Sequence, residues 1–212
     1  MTSVITAQQI HSALLNLCDT IEEEKDYLSE VDGAIGDGDH GVNMAKCFRG
    51  VKAILETADA EDVGAVLGLV GMEVMNSVGG AMGALYGTMF IKLSSKSTGK
   101  SEVNLQDLSV MFSEALSGIL TIGKAQVGDK TLVDTLSPAV EALAQAASQK
   151  QPLELALSSF EAAAKNGMES TKDLLAKMGR ASRLGERSIG HIDAGATSCY
   201  FILRAFATSH SE

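Results

Sequence analysis

The stretch DGAIGDGDHGVN, residues 32–43, gathers three carboxylates, one imidazole and four glycines into twelve positions. So much negative charge on so short a segment calls for a cation. Asp32, Asp37 and Asp39 offer hard oxygen ligands of the kind Mg2+ or Ca2+ takes, and Gly33, Gly36, Gly38 and Gly41 let the backbone turn between them. The calcium loop of an EF-hand does not fit. Counted from Asp37, the sixth place is Val42 rather than Gly and the twelfth is Phe48 rather than Glu; counted from Asp32, the third and fifth places are Ala34 and Gly36. The pattern predicts one or two Mg2+ ions, which keep part of their water and share their shell with phosphates. The competing interpretation is a solvated turn between two helices, and the density of aspartates weighs against it.

On both sides of this segment the apolar residues recur at helical spacing. Ile10, Leu14, Leu17 and Ile21 share one face, and Met44, Cys47, Phe48, Val51 and Leu55 share another. Further helices are expected over 62–78, 80–95, 105–123, 132–149, 153 to about 177, and 195 to about 209. That makes eight, with no strand alternation. Asn104 with Asp107, and Thr131 with Asp134, are start signals in which a side-chain oxygen and a first-turn carboxylate satisfy free backbone donors. Short connections favour antiparallel neighbours in an up-and-down bundle or barrel. The polar stretch 94–104 is expected as a surface loop. The fold class is therefore all-α, with one domain over 1–212.

Composition narrows the function. With aromatics at 4%, no Trp and two prolines, the core must be aliphatic and Met-rich. A net charge of -10 argues against nucleic acid or an anionic membrane as partner, since both would be repelled. Cys18, Cys47 and Cys199 form no CxxC pair, so neither a disulfide framework nor a zinc site is expected. The N-terminus lacks a basic region, no secretory signal is expected, and the cytoplasm is the simplest compartment. Residues 66–91 are apolar over a bilayer-spanning length. Glu73, Asn76 and Ser77 interrupt them, however, and Gly79-Gly80 breaks them, so two buried helices joined by a tight turn are expected there instead.

Four other segments carry candidate chemistry. SSKSTGKS, residues 94–101, matches the end of a P-loop, but Ser94 stands at the opening Gly and Glu102-Val103-Asn104 is a poor helix start, so a solvated loop is expected. Gly80, Gly83 and Gly87 leave one helix face nearly bare, for close approach either of a neighbouring helix or of a phosphate or ribose. Lys130 is either a cation for phosphate or a solvated residue beside the Thr131 cap. Residues 179–198 place Arg180, Arg183, Arg187 and His191 on an irregular segment, suited to phosphate or to a carboxylate on a partner. His40 and Asn43, three apart, share a face.

Four motifs, GDGDHGVNM, SVGGAMGALYGT, GKAQVGDKT and GRASRLGERSIGHIDAGATS, occur in this order. Together they resemble the nucleotide-binding L subunit (DhaL) of bacterial dihydroxyacetone kinase over nearly the whole chain. The resemblance implies an antiparallel eight-helix up-and-down barrel holding ADP or ATP through two Mg2+ ions. It also implies a separate K subunit that binds the ketose, so that this chain alone is inactive as a kinase. It puts Asp32, Asp37 and Asp39 on the metal. It puts His40, Gly41, Val42, Asn43, Ala81, Met82, Gly123, Leu132, Arg180, Asp193, Ala194 and Gly195 against the nucleotide, Gly123 and Leu132 at the adenine. No catalytic side chain is assigned beyond that site. Met82 stands where Ser is common, Leu132 where Met occurs, Ala194 where Pro is usual and Arg183 where an aromatic residue is common. The resemblance leaves open whether the nucleotide exchanges as ATP or stays as ADP rephosphorylated by a phosphotransferase-system protein, and whether the chain forms a homodimer. A two-metal phosphohydrolase and a non-enzymatic Mg-nucleotide binding module are the alternative functions.

Overall fold

A computed structural model describes residues 3–209, and the Ala-, Leu- and Met-rich segments form helices. These are α1 (Ala7–Glu23), α2 (Lys25–Ile35), α3 (His40–Leu55), α4 (Val63–Ser77), α5 (Gly80–Ser95), α6 (Leu105–Gly123), α7 (Leu132–Ser148), α8 (Leu153–Ser170) and α9 (Ala194–Thr208). The expectation of one domain over 1–212 runs past the described residues at both ends. Contacts pass from α1 to α3, then in chain order from α3 to α9, and return from α9 to α1, while α2 lies against α3 and α9. The interior of this ring is the core. It is aliphatic, with a small aromatic centre in which the Phe112 ring sits 4.9 Å from Phe160 and 5.2 Å from Phe206. No helix among the described residues is long and apolar enough to cross a membrane.

The all-α expectation holds, with three corrections. First, α2 is a helix that the sequence patterning does not announce: it buries only Leu28 and Ile35, and four of its other nine positions are charged. Asp32 therefore lies in its last turn rather than in a loop. Second, a two-stranded antiparallel ladder pairs β1 (Val4–Thr6) with β2 (Glu102–Asn104). Strands of three residues, with only Ile5 and Val103 buried, are too short to show alternation, and so 94–104 is partly structured. Third, α8 stops at Ser170 rather than near 177, in a 3-10 turn over Thr171–Asp173. The Thr171 hydroxyl turns back to the Met168 carbonyl, and its own carbonyl accepts from Lys130 Nζ, which ends the regular ladder. The capping boxes Asn104/Asp107 and Thr131/Asp134 are both present.

Two glycines account for how closely these helices pack. Gly83 faces the Val78 carbonyl at the end of α4, and Gly41 faces the Lys25 carbonyl and Ser29 of α2. At either position a Cβ would fall inside the contact radius of backbone atoms. A neighbouring helix thus explains the bare faces of Gly83 and Gly87, the latter lying over Met75. Because backbone cannot move aside as a flexible side chain can, Gly41→Ala is expected to destabilise the protein by about 1–3 kcal/mol. Thermal and urea unfolding measure this, and an unchanged midpoint would show that α2 does not bear on α3 as described.

Candidate functional site

The first turns of α3, α5, α7 and α9 all line one cavity of about 680 Å³. A helix start exposes unsatisfied N–H groups and the positive end of the helix dipole, so four converging starts favour an anion. Two of them already carry a carboxylate. Asp134 accepts from the Thr131 N–H at 2.7 Å, and Asp193 Oδ2 accepts from the Ala196 N–H at 2.8 Å. The starts of α3 and α5 have no side-chain cap hydrogen bond. At α5 the chain enters through Gly80 with φ +71, a conformation L side chains rarely adopt, and nothing lies within 4 Å of where its Cβ would be.

At the rim, Asp32, Asp37 and Asp39 each offer an oxygen, and these lie within 4.8 Å of one another. Local geometry brings them together: Asp32 ends α2, Gly38 turns the chain at φ +76, and Asp39 opens α3. An acidic set this close is suited to a hard divalent cation. Among the described side chains, Arg180 supplies positive charge, its Nε lying 2.9 Å from Asp37 Oδ2. Asp32 Oδ2 also accepts from the His40 N–H at 3.3 Å. Burial lowers the His40 pKa, opposed by the nearby Asp32 and Asp39 charges.

The residues expected at a nucleotide divide clearly. Asp32, Asp39, His40, Asn43, Ala81, Met82, Gly123, Leu132, Arg180, Asp193, Ala194 and Gly195 line the cavity. Asp37 does not line it, yet joins the carboxylate set and the Arg180 ion pair. Gly41 and Val42 are not among the lining residues: Gly41 packs on α2, and the Val42 side chain is 55% exposed. Of the arginines on the irregular segment only Arg180 lines the cavity. Apolar walls come from Ile35, Leu85, Ile119, Ile122 and Ala125; pattern analysis assigns Leu85, Ile119 and Ile122 simply to helices and gives Ile35 and Ala125 no role. Lys130 is neither solvated nor free for phosphate. Its buried ammonium donates to the Thr171 and His191 carbonyls, each at 2.5 Å, and burial lowers its pKa. Tyr86 and Ser198 are also missed by motif reading; the single signal was a hydroxyl on each of two otherwise apolar helix faces.

Residues 34–208 match the DAK2 domain. The chain is 38% identical, over 98% of its length and 99% of the relative's, to the PEP-dependent dihydroxyacetone kinase ADP-binding subunit DhaL of Escherichia coli (strain K12). It is 41% identical, over 86% of each, to the PTS-dependent dihydroxyacetone kinase ADP-binding subunit DhaL of Lactococcus lactis subsp. lactis (strain IL1403). The crystal structure of the dihydroxyacetone kinase from C. freundii in complex with AMP-PNP and Mg2+ shares the fold, with a TM-score of 0.69 at 22% identity. The match covers 96% of this chain and 34% of that one.

Asp193 gives the cavity a pH signature. Burial pushes its carboxyl up to about 6, although the Ala196 N–H and Lys130 pull it down. A pKa raised on folding adds stability below the unfolded value near 4, and that stability is lost as pH rises through about 6. Asn caps a helix as well as Asp does but does not ionise. The melting temperature of Asp193→Asn relative to wild type is therefore expected to rise between pH 4 and 7, by the equivalent of roughly 2–3 kcal/mol. A constant difference across that range would refute the buried-carboxyl assignment.

Proposed function

Because the chain belongs to the DAK2 domain family, among the L subunits (DhaL) of dihydroxyacetone kinase, we propose that it is the ADP-carrying subunit of a kinase for dihydroxyacetone or a related short ketose. The observation that carries this is the pairing of three convergent aspartates with a cavity lined by four helix starts. Asp32, Asp37 and Asp39 hold two Mg2+ ions, the uncapped start of α5 receives the diphosphate through backbone N–H groups at Ala81-Met82, and the side chains of His40 and Asn43 face it from the first turn of α3. Bound there, a divalent cation supplies neutralisation of charge on phosphate oxygens. Leu132 and Gly123, with the apolar walls, take the adenine, and Gly123 leaves room beside Leu85. Arg180 exchanges its contact with Asp37 for one with phosphate as the ligand enters. Asp193, Ala194 and Gly195 close the far side.

Phosphoryl transfer needs positioning and electrostatic stabilisation more than a covalent nucleophile, which suits a cavity of glycines, carboxylates and one arginine. The acceptor hydroxyl comes from a separate K subunit. The names of the relatives, PEP-dependent and PTS-dependent with an ADP-binding subunit, favour ADP that stays bound and is rephosphorylated in place by a phosphotransferase-system protein. The cytoplasm is the proposed compartment. Cys18, Cys47 and Cys199 are buried and free, and burial pushes the Cys18 and Cys47 thiols up to about 12.

Asp37→Asn removes one charge from the carboxylate set without touching a helix interior. Its affinity for ADP in the presence of Mg2+ is expected to fall roughly ten- to hundredfold with the circular dichroism spectrum unchanged. Calorimetric titration measures it, and wild-type affinity in the variant would reject the metal role. Native mass spectrometry of the purified wild-type chain should show retained ADP with two magnesium ions, whereas a bare chain that binds and releases ATP freely would oppose the resident-cofactor arrangement.

A further inference from the structure

His40 opens α3, Tyr86 lies in α5 and Ser198 in α9, yet their polar atoms meet beneath the cavity. Tyr86 and Ser198 are both fully buried. His40 Nε2 is 2.8 Å from Ser198 Oγ, and Tyr86 Oη is 2.6 Å from the same Oγ. The Gly195 carbonyl oxygen lies 2.8 Å from Tyr86 Oη and 3.2 Å from Ser198 Oγ. Two hydroxyl protons, and one ring proton if Nε2 carries it, are all there is to serve these contacts.

With a proton on Nε2, all three close contacts are filled in sequence: Nε2–H donates to Ser198, Ser198 to Tyr86, and Tyr86 to the Gly195 carbonyl. With Nε2 bare, Ser198 must donate to it, and the single Tyr86 proton serves either Ser198 or the Gly195 carbonyl, so one of the three close contacts has no proton. Buried polar groups adopt the arrangement that satisfies more of them. In the neutral imidazole, the hydrogen on Nε2 leaves Nδ1 with a lone pair. Nε2 is turned into the core, His40 lines the cavity, and among the described residues Nδ1 has no hydrogen-bond partner.

We propose that Ser198 and Tyr86 are positioning residues that hold His40 as its Nε2–H tautomer, presenting Nδ1 to the cavity as an acceptor for an O–H group of the bound ligand. That group is a ribose hydroxyl or a metal-bound water. The assignment rests on the nucleotide role proposed above. Helix starts and Arg180 offer only donors, and the aspartates are committed to a cation, so Nδ1 is a neutral side-chain acceptor of a kind those groups do not supply.

The test uses the full chain labelled with 15N, comparing wild type, Ser198→Ala and Tyr86→Phe by long-range ring-nitrogen NMR and by calorimetric titration of ADP with Mg2+. Wild type should show one His40 tautomer, protonated on Nε2, with or without ligand. Ser198→Ala should show mixed tautomers and bind ADP about tenfold more weakly, with circular dichroism unchanged. If a ribose hydroxyl is the donor, 2′-deoxy- or 3′-deoxy-ADP loses the difference between variant and wild type. If a metal-bound water is the donor, both analogues keep it. Either result supports the proposal. A wild-type His40 protonated on Nδ1, or a Ser198→Ala variant with an unaltered tautomer and unaltered ADP affinity, overturns it. Tyr86→Phe removes a single oxygen and carries the same two readouts should Ser198→Ala fail to fold. If the wild type binds no ADP, the nucleotide role falls, and the tautomer in the ligand-free chain still decides whether Ser198 and Tyr86 set the ring.

Discussion

Four helix starts aimed into one cavity make a field that suits an anion, and three carboxylates with oxygens within 4.8 Å of one another make a field at its rim that suits a cation. A helix start without a capping carboxylate contributes about 0.3–1 kcal/mol toward a negative ligand, and α3 and α5 are the two of the four that lack a side-chain cap. Each field is only partly answered inside the chain, since Asp134 and Asp193 cap the starts of α7 and α9. Arg180 meets one carboxylate, while α3 and α5 begin without a side-chain cap. A metal–phosphate ligand is one of the few species that satisfies both at once, because its cation faces the acids and its oxygens face the N–H groups. The chain as a whole is acidic, which makes the cation a condition of binding a polyphosphate rather than an accessory.

Holding that opposition in place falls to the irregular segment between α8 and α9. Its two ends are tied to one atom, since Lys130 Nζ donates to the carbonyl of Thr171 and to that of His191. Thr171 Oγ1 accepts from the Asp193 N–H, and Thr135 donates to the Ala196 carbonyl, so α7 fixes the start of α9 from below. Arg180 is carried between these anchors. A loop of this length would otherwise sample many conformations, and closing it at its base lowers the entropy lost in holding Arg180 at the rim of the cavity. Desolvation of the Lys130 ammonium opposes the arrangement, and two close carbonyl acceptors offset that cost.

The helices were legible where an apolar stripe was long, as in α1, α3 and α6, or where a capping box marked the start, as in α6 and α7. α2 was not, because two buried residues make no periodic pattern. The carboxylate set was legible because its members lie within eight residues, and proximity in sequence limits how far apart their oxygens can be. Lys130 was ambiguous for the opposite reason: its partners are 41 and 61 residues away, and nothing local records them. The same separation hides the Tyr86, Ser198 and His40 contact, which joins three helices across the ring. Gly41 shows a subtler limit. Glycine beside a ligand and glycine beside a helix look identical in sequence, and only the Lys25 carbonyl tells them apart.

The positions that depart from the family's usual residues fall on the same cavity and its surroundings. Met82 lines the cavity while packing against the core cluster, so losing a Ser hydroxyl there leaves the α5 backbone donors unaltered and adds apolar wall. Ala194 is the first residue of α9 and is buried. Proline is favoured at a first helical position because its fixed φ suits the turn and its missing N–H is not needed there. Alanine gives up that preorganisation, yet Asp193 is already held by Thr171 on one side and caps Ala196 on the other, so the turn is fixed by hydrogen bonds in place of a ring. Arg183 is exposed and does not line the cavity, which leaves its charge facing outward on the segment that bears Arg180. The substitutions that line the cavity are therefore those that backbone and capping groups absorb, and the one that changes charge lies outside it.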